Sequence, residues 1–121
     1  MPHDAQVQVP IDYVLRQSRF IPAGALRDYA DHRLYFALRR FADQVRRVTV
    51  RVIDENGPRR GIDTRCLITA EFHHGPPVVV EATSAWPTAS VTAAARRLTD
   101  AIRRRVDRDG RVRGSVRRGR L

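Results

Sequence analysis

Residues 64–84, TRCLITAEFHHGPPVVVEATS, decide the fold of this chain. The first half of the stretch alternates apolar and polar side chains, with Cys66 and Ile68 on the apolar face. The second half repeats the pattern with Val78 and Val80. Alternation with a period of two is typical of a strand that is buried on one side. The Gly and Pro residues between the halves indicate a turn, so the stretch predicts an antiparallel hairpin.

The segments before this hairpin extend the predicted sheet. Residues 45–53, VRRVTVRVI, place three valines on one face, and the run DENGPRRGID over 54–63 predicts a loop because it contains Asn-Gly, Pro and a second Gly. These runs together predict an antiparallel meander. Nearer the N-terminus, VPIDYVLR over 9–16 also alternates and predicts a further strand, in which the proline favours an edge position or a strand start.

Two segments of helical periodicity surround the strands. The first runs from about Ala23 to Ala42, and the second from Pro87, which suits a first helical turn, to about Arg108. Their apolar stripes comprise Leu26, Ala30, Leu34, Leu38 and Phe41, and Val91, Ala94, Leu98, Ile102 and Val106. The order β-α-β-β-β-α, with one apolar face on each element, predicts an α+β two-layer sandwich. Its four-stranded sheet would carry both helices on one face.

Positive charge is concentrated at the C-terminal end of the chain. The 121 residues carry a net charge of +10, and every basic residue is Arg. Residues 1–95 hold 12 Arg and 10 Asp or Glu, a net of +2, whereas residues 96–121 hold 11 Arg and 3 Asp, a net of +8. This asymmetry predicts a polyanionic partner. A solvated helix surface followed by a charged tail is the other interpretation of the same pattern.

The candidate binding residues are the arginines that lie off the two apolar stripes. They are Arg33, Arg39 and Arg40 in the first helix and Arg96, Arg97, Arg103, Arg104 and Arg108 in the second. Asp100 and Asp107 have the helical spacing to neutralise part of this array. The residues after Asp109 are aperiodic and highly charged. We therefore expect a flexible N-terminus over 1–8, a domain over 9–108 and a disordered Arg/Gly-rich tail over 109–121.

The sequence offers no recognisable catalytic or metal-binding constellation. Cys66, the single cysteine, alternates with apolar neighbours and is predicted to be a core residue. The adjacent His73 and His74 point to opposite faces of a strand and cannot readily share a metal. The longest apolar run, 34–38, is far shorter than the ~20 residues of a membrane span. We expect a cytoplasmic protein that is not an enzyme, with no cofactor, metal, membrane or small-molecule substrate.

Several motifs occur along the chain in a specific order and spacing. The first predicted helix contains ALRDY (25–29), RL (33–34) and LRRF (38–41), and the second contains AAARRL (93–98) and IRR (102–104). The strand region contains RVTV (47–50), DENG (54–57) and DTRC (63–66). Together these motifs resemble the ribosome hibernation-promoting factor / ribosome-associated inhibitor family, and those of the strand region are similar to its proteobacterial branch. The similarity covers about residues 9–108.

The resemblance implies a function that composition alone does not. Members bind rRNA of the small ribosomal subunit near the decoding region, block mRNA and tRNA binding, and silence idle ribosomes under stress or in stationary phase. The rRNA contacts of the family fall here on Arg33, Arg39, Arg97, Arg103 and Arg104. The chain would be of the short type, without an added dimerisation domain.

One departure and two alternatives accompany this interpretation. Trp86-Pro87-Thr88 stands where many members open the second helix with an Asp-Met-Tyr-type sequence. The chain could instead be a general double-stranded-RNA or DNA-binding module, since such domains also place helices against a small sheet. A small enzyme or a protein-interaction domain is the third possibility.

Overall fold

The strands and helices follow the predicted order. The computed structural model describes residues 9–15, 22–56 and 62–119, with the backbone alone at 56, 62 and 111–119. The predicted N-terminal segment 1–8 therefore lies outside the described residues. The elements are β1 (Ile11–Leu15), α1 (Ala23–Leu38), a 3-10 turn (Arg39–Phe41), β2 (Val45–Asn56), β3 (Ile62–Phe72), β4 (Val78–Ser84) and α2 (Pro87–Gly119).

The four strands form one mixed sheet in the order β1-β2-β3-β4. Strand β1 runs parallel to β2, with Ile11 opposite Val48, while β2–β3 and β3–β4 are antiparallel. A parallel pair needs a crossover between its strands, and α1 provides it. The predicted meander and the predicted edge position of the first strand are both confirmed.

A single core lies between the sheet and the two helices. Val48, Val50 and Val52 of β2 are fully or almost fully buried, whereas Arg47 and Arg51, on the opposite face of the strand, are exposed. The predicted stripes of both helices join the same cluster, with Leu34 and Leu98 among its inaccessible members. Burying each such leucine contributes on the order of 1.5–3 kcal/mol. The predicted two-layer α+β sandwich, with both helices on one face of the sheet, is confirmed.

Strands β2 and β3 continue into the segment that was predicted to be a loop. Asp54 pairs with Thr64, and Glu55 with Asp63, so only residues 57–61, which lie outside the described part, separate the two strands. The buried Thr64 hydroxyl donates a hydrogen bond to Asp54 Oδ1 at 3.1 Å. This cross-strand bond satisfies the carboxylate of Asp54, which belongs to the segment predicted to be a loop, within the strand pair.

Helix boundaries differ from the predictions at two C-terminal ends. Helix α1 tightens into the 3-10 turn after Leu38, so Arg39 and Arg40 lie on that turn. Helix α2 continues to Gly119, beyond the predicted end near Arg108. The apolar stripe stops there, but Gly110 weakens a helix by only about 1 kcal/mol and, unlike proline, preserves its hydrogen bonds. The division into a domain over 9–108 and a tail over 109–121 stays a prediction.

Candidate nucleic-acid interface

All eight predicted arginines are exposed on the helical layer of the molecule. Three belong to α1 and its terminal turn, and five to α2. Because both helices cover the same face of the sheet, their outward side chains share one side of the protein. We call this surface the helix layer. Its exposed predicted arginines are Arg33, Arg39, Arg40, Arg96, Arg97, Arg103, Arg104 and Arg108.

The arginines of the opposite sheet surface are largely neutralised by carboxylates. Arg46 Nη2 lies 2.8 Å from Glu71 Oε1, and Arg47 pairs with Asp12. Arg65 contacts two acids, Glu81 at 2.5 Å and Glu55 at 3.6 Å. On the helix layer, by contrast, the one ion pair among the eight arginines within the described residues is Arg103 with Asp100, at 3.8 Å. Excess positive charge therefore faces outward from the helices.

Aromatic side chains contact Arg33 of α1 and Arg39 of the 3-10 turn without neutralising them. Arg33 Nε donates to the Tyr29 hydroxyl at 3.2 Å, and its guanidinium lies 5.5 Å from the Tyr29 ring centre. The guanidinium of Arg39 lies 5.8 Å from the centre of the Phe36 ring. Cation–π contacts of this kind leave guanidinium N–H groups at the edge, where they can bind phosphate oxygens.

A hydrogen-bond chain joins α1 to α2 beneath Arg33. The Tyr29 hydroxyl lies 2.5 Å from Thr92 Oγ1, and Thr92 Oγ1 donates to the Thr88 carbonyl at 2.9 Å. Since the single hydroxyl hydrogen of Thr92 is used there, Tyr29 must donate to Thr92 while it accepts from Arg33. The chain fixes both helices and the position of one predicted binding residue.

The predicted α2 arginines differ in how far the fold uses them. Arg97 donates to the Glu81 main-chain carbonyl and so fastens α2 to β4. Within the described part of the chain, Arg96 and Arg104 form no hydrogen bond or ion pair, and neither do Arg40 and Arg108. No described residue therefore occupies these four guanidinium groups, whereas Arg97 already has an internal partner.

Arg105 is a buried arginine that the sequence analysis missed. It is only 5% exposed and donates to the His74 carbonyl at 2.9 Å and to the Pro76 carbonyl. Its guanidinium lies 4.3 Å from the centre of the Phe72 ring. The sequence could have indicated this burial, because Arg105 follows Ile102 by three residues and therefore lies on the apolar stripe of the helix.

The turn between β3 and β4 is shaped to receive this arginine. Gly75 has φ +88°, a conformation that glycine adopts without strain, and a Cβ at this position would overlap Arg105 Nη2. Arg105 Nε also lies 3.3 Å from Asp109 Oδ2. Arg105 thus holds α2 against the turn and contributes to the fold instead of to the exposed charge.

An open groove runs between the two helices on the helix layer. Its volume is about 480 Å³, and it is lined by Tyr29, His32, Arg33, Phe36 and Ala37 of α1 and by Thr92, Ala95, Arg96 and Thr99 of α2. The Phe36 side chain is 55% exposed within it. Sequence reasoning did not single out this groove, because it depends on which helical faces meet.

The other candidate residues offer little reactive chemistry. Cys66 is buried as predicted, and burial raises the pKa of its thiol to about 12, which disfavours the nucleophilic thiolate. His73 and His74 are exposed, and the described residues contain no group of three or more His, Cys, Asp or Glu side chains that could hold a metal ion. None of the described helices combines the length and apolar character needed to cross a membrane.

Comparison with known proteins identifies relatives of the fold. No protein-family profile and no curated protein matches the sequence. The structure is similar to the crystal structure of the Thermus thermophilus Protein Y N-terminal domain, with a TM-score of 0.58 and 22% identity over 80% of this chain and 98% of that one.

A second similar structure is that of a ribosomal subunit interface protein from Coxiella burnetii. Its TM-score is 0.59, with 14% identity over 81% of this chain and 99% of that one. Each alignment therefore includes almost all of the solved chain and about four-fifths of this one. At these identities the likeness establishes a shared fold: the described protein has the α+β architecture of these two structures.

Proposed function

We propose that this chain belongs to the ribosome hibernation-promoting factor / ribosome-associated inhibitor family and binds rRNA of the small ribosomal subunit. The observation that carries the proposal is the separation of charge: carboxylates pair with the sheet-surface arginines Arg46, Arg47 and Arg65, whereas one predicted arginine of the helix layer, Arg103, has a carboxylate partner among the described residues. The fold shared with a protein described as a ribosomal subunit interface protein supports the choice of partner. In this proposal the protein acts in the cytoplasm, where ribosomes are found.

The proposed mechanism is electrostatic docking on a rigid surface. Each guanidinium can grip phosphate oxygens through two parallel N–H bonds, and each neutralised phosphate releases counterions. The hydrogen bonds of Tyr29 and Arg97 hold the helices before binding, which limits the conformational entropy lost on docking. Bound near the decoding region, the domain would exclude mRNA and tRNA by occupying their space, and no chemical step is required.

A salt titration of small-subunit binding tests the proposed interface. We expect Arg103→Gln/Arg104→Gln to weaken co-sedimentation and to lower the slope of log affinity against log salt by about 0.7–0.9 for each phosphate that the variant no longer neutralises. The matched control is Arg46→Gln/Arg51→Gln, which removes the same charge from the exposed sheet surface. Equal binding by the helix-layer variant and the wild type would refute the site.

Competition separates ribosome binding from general nucleic-acid binding. The proposal expects tRNA and mRNA to displace the protein from small subunits, and it expects weaker binding to short RNA or DNA duplexes than to subunits at the same salt concentration. Equal or tighter binding to free duplexes would favour the general binding module. A sucrose gradient of stationary-phase ribosomes, probed for this chain, identifies the bound particle.

A further inference from the structure

The groove between α1 and α2 exposes an aromatic ring beside arginines of the helix layer. Phe36 is a large apolar residue with 55% of its surface accessible, so covering its ring with a flat apolar ligand would be favourable. The ring lies on the helix layer, and the Arg39 guanidinium lies over it, 5.8 Å from the ring centre. An exposed aromatic ring among cations is the combination that single-stranded nucleic acid requires.

Neighbouring rings brace Phe36 in the groove. The His32 ring centre lies 5.1 Å away with an interplanar angle of 80°, and the Tyr35 ring centre lies 5.2 Å away at 86°. These nearly perpendicular contacts restrict the rotation of the Phe36 side chain without burying it. A ring held in one orientation loses little entropy when a flat ligand stacks against it.

The walls of the groove are suited to an anion. Arg33 from α1 and Arg96 from α2 both line it, and no Asp or Glu of the described residues does. Arg96 forms no hydrogen bond or ion pair within the described chain, and Arg33 is fixed through Tyr29. The threonine hydroxyls of the α2 wall already donate to helix carbonyls, so they do not compete for these guanidinium groups.

We propose that this groove binds an unpaired RNA nucleotide, with its base stacked on Phe36 and its phosphate bound by Arg33 and Arg96. The inference rests on the proposed function and specifies the form of rRNA that the site prefers. A base within a duplex presents no free face, whereas loops and bulges carry bases that stack on aromatic side chains. The pairing of an apolar ring with two cations matches the flat base and charged phosphate of one nucleotide.

Substitution of Phe36 distinguishes stacking from charge. We expect Phe36→Ala to weaken small-subunit binding by about 5- to 150-fold, the range for loss of one stacked base. The salt slope should stay unchanged, since no cation is removed. Phe36→Trp should retain binding. The control Val79→Ala removes a side chain that is 57% exposed on the sheet surface, and it should bind as the wild type does.

The outcomes separate this inference from the proposed function. If the wild type fails to bind small subunits, the proposed function fails. If the wild type binds and Phe36→Ala binds equally well, the inference of a stacked nucleotide is refuted while the proposed function still stands. Retained binding by Phe36→Leu, which keeps apolar bulk without a ring, would also overturn stacking.

A photo-crosslink identifies the occupant directly. The variant Phe36→p-benzoylphenylalanine, bound to small subunits and irradiated, should crosslink to an unpaired rRNA nucleotide that primer extension can map. The same group at Val79 should give no rRNA crosslink at that nucleotide. A crosslink from position 36 to a ribosomal protein, or to a base-paired nucleotide, would overturn the proposal.

Discussion

Two adjacent arginines of α2 have opposite roles because successive residues of a helix point about 100° apart. Arg104 is exposed and forms no bond within the described residues, while Arg105 is 5% exposed and bonds to two carbonyls of the β3–β4 turn. The burial of a cation is tolerated at Arg105 because main-chain carbonyls, an aspartate and the Phe72 ring surround it. Charge alone therefore does not identify a binding residue in this chain.

Replacing Arg105 should destabilise the fold. In Arg105→Ala, the His74 and Pro76 carbonyls lose their donor, and the Phe72 ring loses its cationic neighbour. We expect the free energy of unfolding to fall by about 2–3 kcal/mol, as measured by urea denaturation. The matched variant Arg104→Ala should change stability by no more than about 0.5 kcal/mol. Equal midpoints for the two variants would contradict the structural role of Arg105.

At the scale of elements, α2 is longer than its apolar stripe. Among the side chains that the structure describes, the last buried one of the helix is Arg105, while the backbone remains helical to Gly119. Gly110 lies at the junction, is exposed, and has no heavy atom within 4 Å of the place where a Cβ would be. Glycine at position 110 should therefore differ from alanine in backbone entropy and not in side-chain packing.

Alanine at this junction should strengthen the helix. We expect Gly110→Ala to increase the helical circular dichroism signal and to stabilise the protein by up to about 1 kcal/mol, because alanine loses less backbone entropy than glycine in a helix. The contrasting variant is Gly75→Ala, which should destabilise because of its positive φ and the overlap with Arg105. An unchanged or weaker helical signal for Gly110→Ala would show that the helix does not continue through this residue.

The sequence predicted those elements whose pattern reports directly on burial. The valines of β2 and the leucines of both helices indicated which faces meet, and hence the layers. The pairing of Asp100 with Arg103 was predictable from helical spacing. The partners of Arg97 and Arg105 were not predictable, because these residues bind main-chain carbonyls that leave no signature in the sequence. The exposed ring of Phe36 was missed for a related reason, since its groove exists only where two helices approach each other.

At the scale of the whole molecule, the two surfaces differ in how their charge is balanced. Cross-strand ion pairs place acid beside base on the sheet surface, for example Arg46 with Glu71 and Arg65 with Glu81. Exposed pairs of this kind add little stability, but they cancel the local field. On the helix layer, one of the eight predicted arginines has such a pair among the described residues, Arg103 with Asp100, so the field of this surface should orient the protein toward a polyanion before contact.

Arginine footprinting should reveal this orientation on the ribosome. We expect phenylglyoxal to modify Arg96 and Arg104 in the free protein and to react with them much more slowly in the small-subunit complex, because phosphates cover the helix layer. Arg51, exposed on the sheet surface, should react equally in both states, as read by mass spectrometry. Protection of Arg51 with continued reaction of Arg96 and Arg104 would mean that the protein docks through its sheet. In that case the sheet variant Arg46→Gln/Arg51→Gln, and not Arg103→Gln/Arg104→Gln, should lower the salt slope of binding. The two measurements must agree, because both report which charged surface contacts the ribosome.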